Sequence, residues 1–527
     1  QDLHLVIPFD TEVAQLLNFA HLPRGEFFID TLSAGLKHYA HYLNNWHADL
    51  LIDSTTLVLK DFSGQLDHSD FLLTATLQNY PALFDTVDFT RNIMLEADLV
   101  SGFISTSELF TYRGKNPLPE EYRNERVRGL HLHFSGQANN GGLLHSNGLP
   151  EFQLNLQHLS GLFENHNIPL QNFAGNLKLK ENSLQIEQMQ GQIGHSDFAL
   201  SGKLTRLDAN KVSEMGGSLQ FNSRNLDIDQ LIAYSAENEQ AMAEKYGASY
   251  HDSTLNIFAS EFPDLRLQAS IGQLHYHKYD ISELFTSLHF TPGHVVEVDT
   301  LRLLAANGHF GLKGEVNGRD KDSIIFKSTA WLKGMSLDKI AYKMDNFGTD
   351  YSLDQNLKGD IDATVASTVR LHADFTPYLE KTNAHVEAVV QNGQLLDFAP
   401  LSALADYFGE ENVKNIRFGR LENIMDFTEN TIVIPKMEIA STLGYMNLSG
   451  RQSMDMQMEY YFQVPFNLVT RTVKNKLFGV KEVAPEEQQV IANDGKKRMY
   501  LNVKMTGTPE DYKIELSKKR DIASIDN

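Results

Sequence analysis

One segment of this chain occurs twice, and no other feature limits the possible folds so strongly. Gly64-Gln65-Leu66-Asp67-His68-Ser69-Asp70-Phe71-Leu72-Leu73 recurs as Gly191-Gln192-Ile193-Gly194-His195-Ser196-Asp197-Phe198-Ala199-Leu200. Looser copies stand at Asn307-Gly308-His309-Phe310-Gly311-Leu312-Lys313-Gly314 and at Gly444-Tyr445-Met446-Asn447-Leu448-Ser449-Gly450. Such a repeat is a supersecondary unit that buries its apolar face by stacking on its neighbours. Each copy follows a run in which apolar and polar residues alternate, as in Leu184, Ile186 and Met189, in Val296, Val298, Leu301 and Leu303, and in Ile432, Ile434, Met437 and Ile439. A period of two marks a strand with one apolar side. The polar breaks Glu181-Asn182-Ser183, Thr291-Pro292-Gly293 and Glu429-Asn430 suit hairpin turns. The pattern predicts a mainly β chain: an elongated, twisted, repetitive antiparallel sheet built from meanders, with a few short helices.

A second element follows the first. It is seen as Ser223-Arg224-Asn225-Leu226-Asp227-Ile228-Asp229-Gln230-Leu231 and as Lys333-Gly334-Met335-Ser336-Leu337-Asp338-Lys339-Ile340, with Ile104 to Leu109 a weaker instance. It reads as a strand ending in a Ser/Asn/Asp turn whose Asp caps a short helix, so it punctuates the fold and is not a site. Helical spacing appears at Thr11 to Phe19, at Asp30 to Asn45 with Leu32, Leu36, Tyr39 and Leu43 on one face, at Ile228 to Tyr246, and at Pro400 to Phe408. Polar residues from Tyr351 to Lys358 mark the clearest seam. The chain thus reads as an N-terminal helical and strand segment (1–49), repeated β-meander units (50–350) and a C-terminal region (351–527).

Charge narrows the partners. With 68 acidic against 46 basic residues the net charge is -22, which repels a phosphate backbone, so nucleic acid is not an expected partner. The same field disfavours broad docking on anionic headgroups and leaves lipid contact to apolar side chains or to an anchor. The chain has no cysteine, which removes thiolate nucleophiles and Cys-type zinc sites. No run approaches the ~18 consecutive apolar residues of a spanning helix. The first residue is Gln1 rather than Met, which suggests a processed or truncated product and an anchor upstream of it.

From about Leu357 to Val469 the chain resembles the C-terminal region of the AsmA family, especially of Bacteroidetes-type envelopes. Leu357-Lys358-Gly359-Asp360-Ile361 opens a strand, and His385-Val386-Glu387-Ala388-Val389-Val390-Gln391-Asn392-Gly393-Gln394-Leu395 matches the family's strand followed by an Asn-Gly turn. Phe398-Ala399-Pro400-Leu401-Ser402-Ala403-Leu404-Ala405 matches its short helix, and Ile416-Arg417-Phe418, Ile432-Val433-Ile434 and Leu448-Ser449-Gly450 its closing strands. The resemblance implies a long, taco-shaped β-groove akin to those of chorein-like lipid-transfer proteins. It also implies a periplasmic protein, anchored in the inner membrane when full-length, that supports outer-membrane biogenesis. Lipid acyl chains, both membranes and other envelope proteins are the implied partners. The family has no catalytic residues to carry over, so no enzyme activity, cofactor or metal is expected.

An alternating sheet must hide its apolar face, because exposure costs about 25 cal/mol per Å². Phe71, Leu73, Phe198, Leu200, Phe310, Leu312, Met446 and Leu448 share that face in the four repeats. They are core residues if helices or a second sheet close over them, and groove-lining residues if acyl chains do. Both readings stand at this point: lipid binding or conduction on one side, and on the other a structural or assembly factor for outer-membrane proteins with a closed β core. A carbohydrate-active β-protein is a third.

Reactive constellations are sparse. His131-Leu132-His133 and His275-Tyr276-His277 put imidazoles on one side of a strand, but no third ligand recurs at a supporting interval. His68, Ser69 and Asp70, like His195, Ser196 and Asp197, are neighbours in a turn. A triad needs side chains that converge from different elements, so Asp70 and Asp197 read instead as acceptors for local backbone N–H groups. The pairs Glu120-Glu121, Glu410-Glu411 and Glu486-Glu487 cannot face each other across a glycosidic bond, and Asn139-Asn140-Gly141-Gly142 lacks the ending of a phosphate loop.

Overall fold

A computed structural model describes residues 25–35, 41–84, 92–111, 123–139, 151–163, 168–208, 211–231, 257–258, 260–343, 352–373, 375–397, 413–428, 430–453, 455–466, 489–491, 499–508 and 511–518. These residues are mainly β, with 25 strands and only short helices among them. The chain divides into two compact units, 1–235 with 263–267, and 236–262 with 268–527.

The first unit holds β1 (Gly25–Gly35), β2 (Tyr42–Ile52), β3 (Thr56–Leu66), β4 (Ser69–Gln78), β5 (Asn92–Ser105), β6 (Arg126–Asn139), β7 (Glu151–Phe163), β8 (Ile168–Lys180), β9 (Ser183–Ile193), β10 (Ser196–Thr205) and β11 (Gly216–Asp227). Each pairs antiparallel with the next. Short helices α1 (Thr106–Phe110) and α2 (Ile228–Leu231) follow β5 and β11. β12 (Asp264–Tyr276) comes next in the chain.

The second unit continues with β13 (Tyr279–Thr291), β14 (Val295–Ala305), β15 (Gly308–Asn317), β16 (Ile324–Ser336), α3 (Leu337–Lys343), α4 (Leu353–Asn356), β17 (Leu357–Leu371) and β18 (Pro377–Leu396). Then come β19 (Asn415–Phe418), β20 (Leu421–Thr428), β21 (Thr431–Ser441), β22 (Gly444–Ser453), β23 (Met458–Pro465), β24 (Tyr500–Gly507) and β25 (Tyr512–Leu516). The 20-residue β18 pairs with both β19 and β20. The described part of the expected seam, 352–358, holds α4 and the first residues of β17, and β17 pairs with β16.

All four repeat copies are hairpins with two-residue turns, at Asp67–His68, Gly194–His195, Ala306–Asn307 and Thr442–Leu443. The second repeated element closes over the first. Glu108 of α1 accepts the N–H groups of His68 (3.2 Å) and Ser69 (2.9 Å) together with the Ser69 hydroxyl (2.5 Å), while Ser69 Oγ accepts the Ser105 N–H at 2.9 Å. In the next copy Gln230 of α2 accepts the His195 N–H (2.6 Å), and Ser196 Oγ accepts the Asp227 N–H (2.9 Å). In the third, Lys339 of α3 donates to Asn307 (2.7 Å), and the Ser336 N–H reaches the Ala306 carbonyl (2.7 Å). Glu108, Gln230 and Lys339 occupy equivalent helix positions, so one staple is built three times with different chemistry. Asp227 also caps α2, accepting the Gln230 N–H at 3.0 Å.

Three local expectations change. Asp70 and Asp197 do not serve their own turns: Asp70 accepts the Phe103 N–H (2.6 Å), and Asp197 those of Arg224 and Asn225 (2.8 Å each), all on the following strand. Asp30 to Asn45 is not a helix, since its described residues lie in β1 and β2. Register shifts between Ile29 and Leu32 and between Leu32 and Ala34 insert extra residues into the ladder, so Ile29 and Leu32 stand three apart as neighbours on a helix would; Leu36 and Tyr39 lie outside the described residues. Asn392-Gly393 is not a turn but a kink inside β18, with Asn392 at φ 54°. The expected helices Thr11 to Phe19 and Pro400 to Phe408, and the 232–246 part of the third, lie outside the described residues.

Ser69 and Ser196 are almost fully buried, so Ser69→Ala and Ser196→Ala each strand a backbone donor and should lower stability by about 1–3 kcal/mol. Gly308→Ser should also destabilise, because a Cβ there would stand 2.6 Å from the Gly334 backbone. Thermal unfolding of the three variants checks this, and a native-like midpoint for Ser69→Ala would contradict the staple.

Candidate functional site

Directly paired residues of an antiparallel ladder share a face, so the register shows what each face carries. In the first unit one row runs Leu57, Leu77, Leu95, Gly136, Phe152, Leu179, Leu184, Leu204 across eight strands. A second runs Phe62, Leu73, Leu99, Leu132, Leu156. The adjacent row on the opposite face reads Thr76, Glu96, Ser135, Gln153, Lys178, Gln185, Lys203. One side is apolar from strand to strand and the other is mainly polar, with the exposed pair Leu72–Val100 and an exposed Met94 among its residues. Of the apolar rows only Leu179 is buried and only Leu95 exposed; the rest are half-buried. Among the described residues of this unit the helical segments are short: α1 and the turn at Tyr80–Phe84 lie beside β5, and α2 reaches the β9–β10 turn through Gln230.

The second unit repeats the arrangement. Leu301, Leu312, Ala330, Val365, Val386 and Met425 form an apolar row. Two places here are closed by packing. Ile257, Val296, Val316, Ile324 and Leu371 form one buried cluster, joined by Phe258, Phe262 and Phe290. Val413, Ile416, Leu443 and Val464 form another, joined by Met446 and Phe462.

All eight residues expected on the apolar face are half-buried. Phe71 pairs with Gly64, Leu73 with Phe62 and Leu99, Phe198 with Gly191, and Leu200 with Met189 and Phe221. Phe310 pairs with Leu303 and Leu332, Leu312 with Leu301 and Ala330, Met446 with Ile439, and Leu448 with Met437 and Phe462. The first four belong to the first unit and the last four to the second.

Sequence reading missed the rings that complete this face. Trp46 lies over Gly64, where a Cβ would stand 2.6 Å from the indole, and meets Phe62 and Phe71 at centroid distances of 5.2 Å. Phe173 lies likewise over Gly191, 2.7 Å from a Cβ there, and meets Phe198 at 5.2 Å. The glycine that opens each strong copy is therefore a seat for an aromatic ring, and a glycine inside an alternating run is the signal that marks it.

The polar face is tied by imidazole–carboxylate contacts. His133 pairs with Asp98 (2.9 Å), His275 with Asp280 (2.8 Å) and His385 with Asp426 (2.6 Å). No group of three or more metal-ligating side chains converges among the described residues. Burial pushes the Glu108 carboxyl up, but the hydrogen bonds from Ser69 and His68 outweigh it and hold the group below its usual range. Asp197 behaves alike, with burial outweighed by the Asn225 and Arg224 donors. The Lys504 ammonium at 2.6 Å draws Glu459 down to about 2, against burial and with help from Tyr461 and Arg451. Glu120-Glu121, Glu410-Glu411, Glu486-Glu487 and positions 140–142 lie outside the described residues.

The chain matches no protein-family model, no curated protein and no solved structure. Among the described residues no helix is long and apolar enough to cross a membrane.

The Glu459 clasp joins β22, β23 and β24 through Arg451 and Lys504. Its folded value lies below the ordinary 4.5, so its contribution is complete above about pH 4.5 and disappears as pH falls toward about 2. Glu459→Gln should lower the melting temperature at pH 7 and narrow the gap to the native chain between pH 4.5 and 2. A mutant-to-native difference independent of pH would rule out the clasp.

Proposed function

We propose that this protein is a non-enzymatic component of a cell envelope that binds or conducts lipid along the apolar face of its first unit. The observation that carries the reading is the pair of apolar rows, crossing up to eight strands, most of whose side chains stop at half burial. Side chains that have left water without reaching a packed core suit a partner that supplies apolar contact and asks for no directional bonds, as an acyl chain does. Bulges in β3, β8 and β9 support it, because each bends its strand and raises the local twist, which curls a sheet. The resemblance to the AsmA family points the same way and supplies the setting: a periplasmic protein, inner-membrane anchored at full length, that serves outer-membrane biogenesis.

The two buried clusters of the second unit favour a different role for their surroundings. There the sheet is closed by its own side chains, as a structural or assembly factor would require. Lipid contact is accordingly assigned to the first unit.

Photoreactive residues at Leu156 and Phe198, with Gln153 on the opposite face as control, should give lipid adducts from the first two only. Extraction and mass spectrometry of the purified chain should recover acyl lipid, and Leu156→Asp should reduce it while leaving the far-ultraviolet β signal intact. Adducts to protein alone, with no lipid in the extract, would leave the assembly role.

A further inference from the structure

Trp331 is anomalous. It lies on the polar face of β16, where its cross-strand row reads Gly311, Trp331, Thr364, Glu387, Ile424. Its neighbours two positions away on the strand are Thr329 and Lys333, yet the indole is 41% exposed, and Ile424 at the end of the row is 49% exposed. The indole stands beside Gly311, 3.6 Å from where a Cβ would be, an ordinary contact distance. An open depression of about 910 Å³ begins at Trp331 and is bounded by Asp362, Thr364, Glu387, Glu422 and Ile424 among others.

We infer that this depression is a non-catalytic binding platform for a neutral oligosaccharide chain, with the Trp331 indole as its stacking surface. The apolar face of a pyranose carries polarised C–H bonds that favour the electron-rich face of an indole, while its rim hydroxyls seek acceptors. Both requirements are met along one row. The acceptors are carboxylates with donor neighbours: Asp362 with Lys333, Glu422 with Arg420, and Glu387 with His385 at 3.7 Å, whose imidazole also meets Asp426 at 2.6 Å. A carboxylate has about four acceptor sites and one ion pair uses a fraction of them, so hydroxyl donors can still be received. The pairing leaves no uncompensated cation for an anionic ligand, which favours an uncharged chain. Strands lie about 4.8 Å apart, close to the length of one sugar ring, so successive rings would meet successive strands. The platform lies on the face opposite the apolar rows and does not rest on the lipid reading.

Calorimetric titration of the full chain with β-1,4-linked hexamers of glucose and of N-acetylglucosamine tests it. At least one should bind, Trp331→Ala should weaken it by about tenfold or more, and Trp331→Phe should retain part of the affinity with the same circular dichroism. Glu387→Gln, which keeps one acceptor, should weaken binding less than Trp331→Ala. The inference is overturned if neither hexamer binds at millimolar concentration, or if Trp331→Ala or Trp331→Phe leaves affinity unchanged. It is overturned equally if sedimentation shows a second copy covering Trp331. Lipid extraction reads an independent outcome, so either assignment can fail without the other.

Discussion

Everything in this molecule depends on register. Because side chains alternate with a period of two, a slip of one residue between paired strands would carry every leucine of one strand into water and every lysine into the apolar layer. The rows stay pure over as many as eight strands of the first unit, so each hairpin must hold its partner to within a single residue. Hydrophobic pattern alone sets the parity, but it tolerates a slip of two. The staples remove that freedom. A buried Ser69 or Ser196 accepts one particular N–H of the second element, and Glu108 or Gln230 grips the turn itself. These bonds form at one register only.

The three staples show how far their chemistry can drift while the geometry is kept. The first uses a carboxylate, the second an amide, and the third an ammonium aimed at an asparagine. Where the third copy gives up the serine hydroxyl, a main-chain bond from Ser336 to Ala306 replaces it, and Gly308 lets the two backbones approach closely enough. Loss of identity in the weaker copies is therefore compensated locally, which is why an eroded repeat still folds as the same hairpin.

What could be read from residues alone follows from this physics. Most of the strands, the polar hairpin turns and the strand-to-helix punctuation were legible, because each has a short-range pattern with a mechanical cause. Asp30 to Asn45 was misread where bulges stretch the apolar spacing, since a local period cannot distinguish a kinked strand from a helix. Asn392-Gly393 was misread because a dipeptide that favours positive φ serves a kink as readily as a turn. Trp46 over Gly64 and Phe173 over Gly191 escaped notice because the ring and its seat lie on different strands, and their contact exists only once the register is known. Trp331 escaped for a related reason: it is notable for the face it occupies, and that face is known only once β16 is set in register against β15 and β17.

A sheet with two unlike faces gives its exceptions more meaning than its rule. An apolar residue on the apolar side, or a charge paired across strands on the polar side, is what solvation demands. Half burial is already a departure, because it forfeits part of the contact energy that full packing would supply. An exposed indole on a face of ion pairs is a larger one, since Trp331 leaves apolar surface in water where its neighbours present polar groups. Features that cost stability and serve no local packing are where interaction with something outside the chain is to be sought: a half-covered leucine layer on the first unit, and an indole on the polar face of the second.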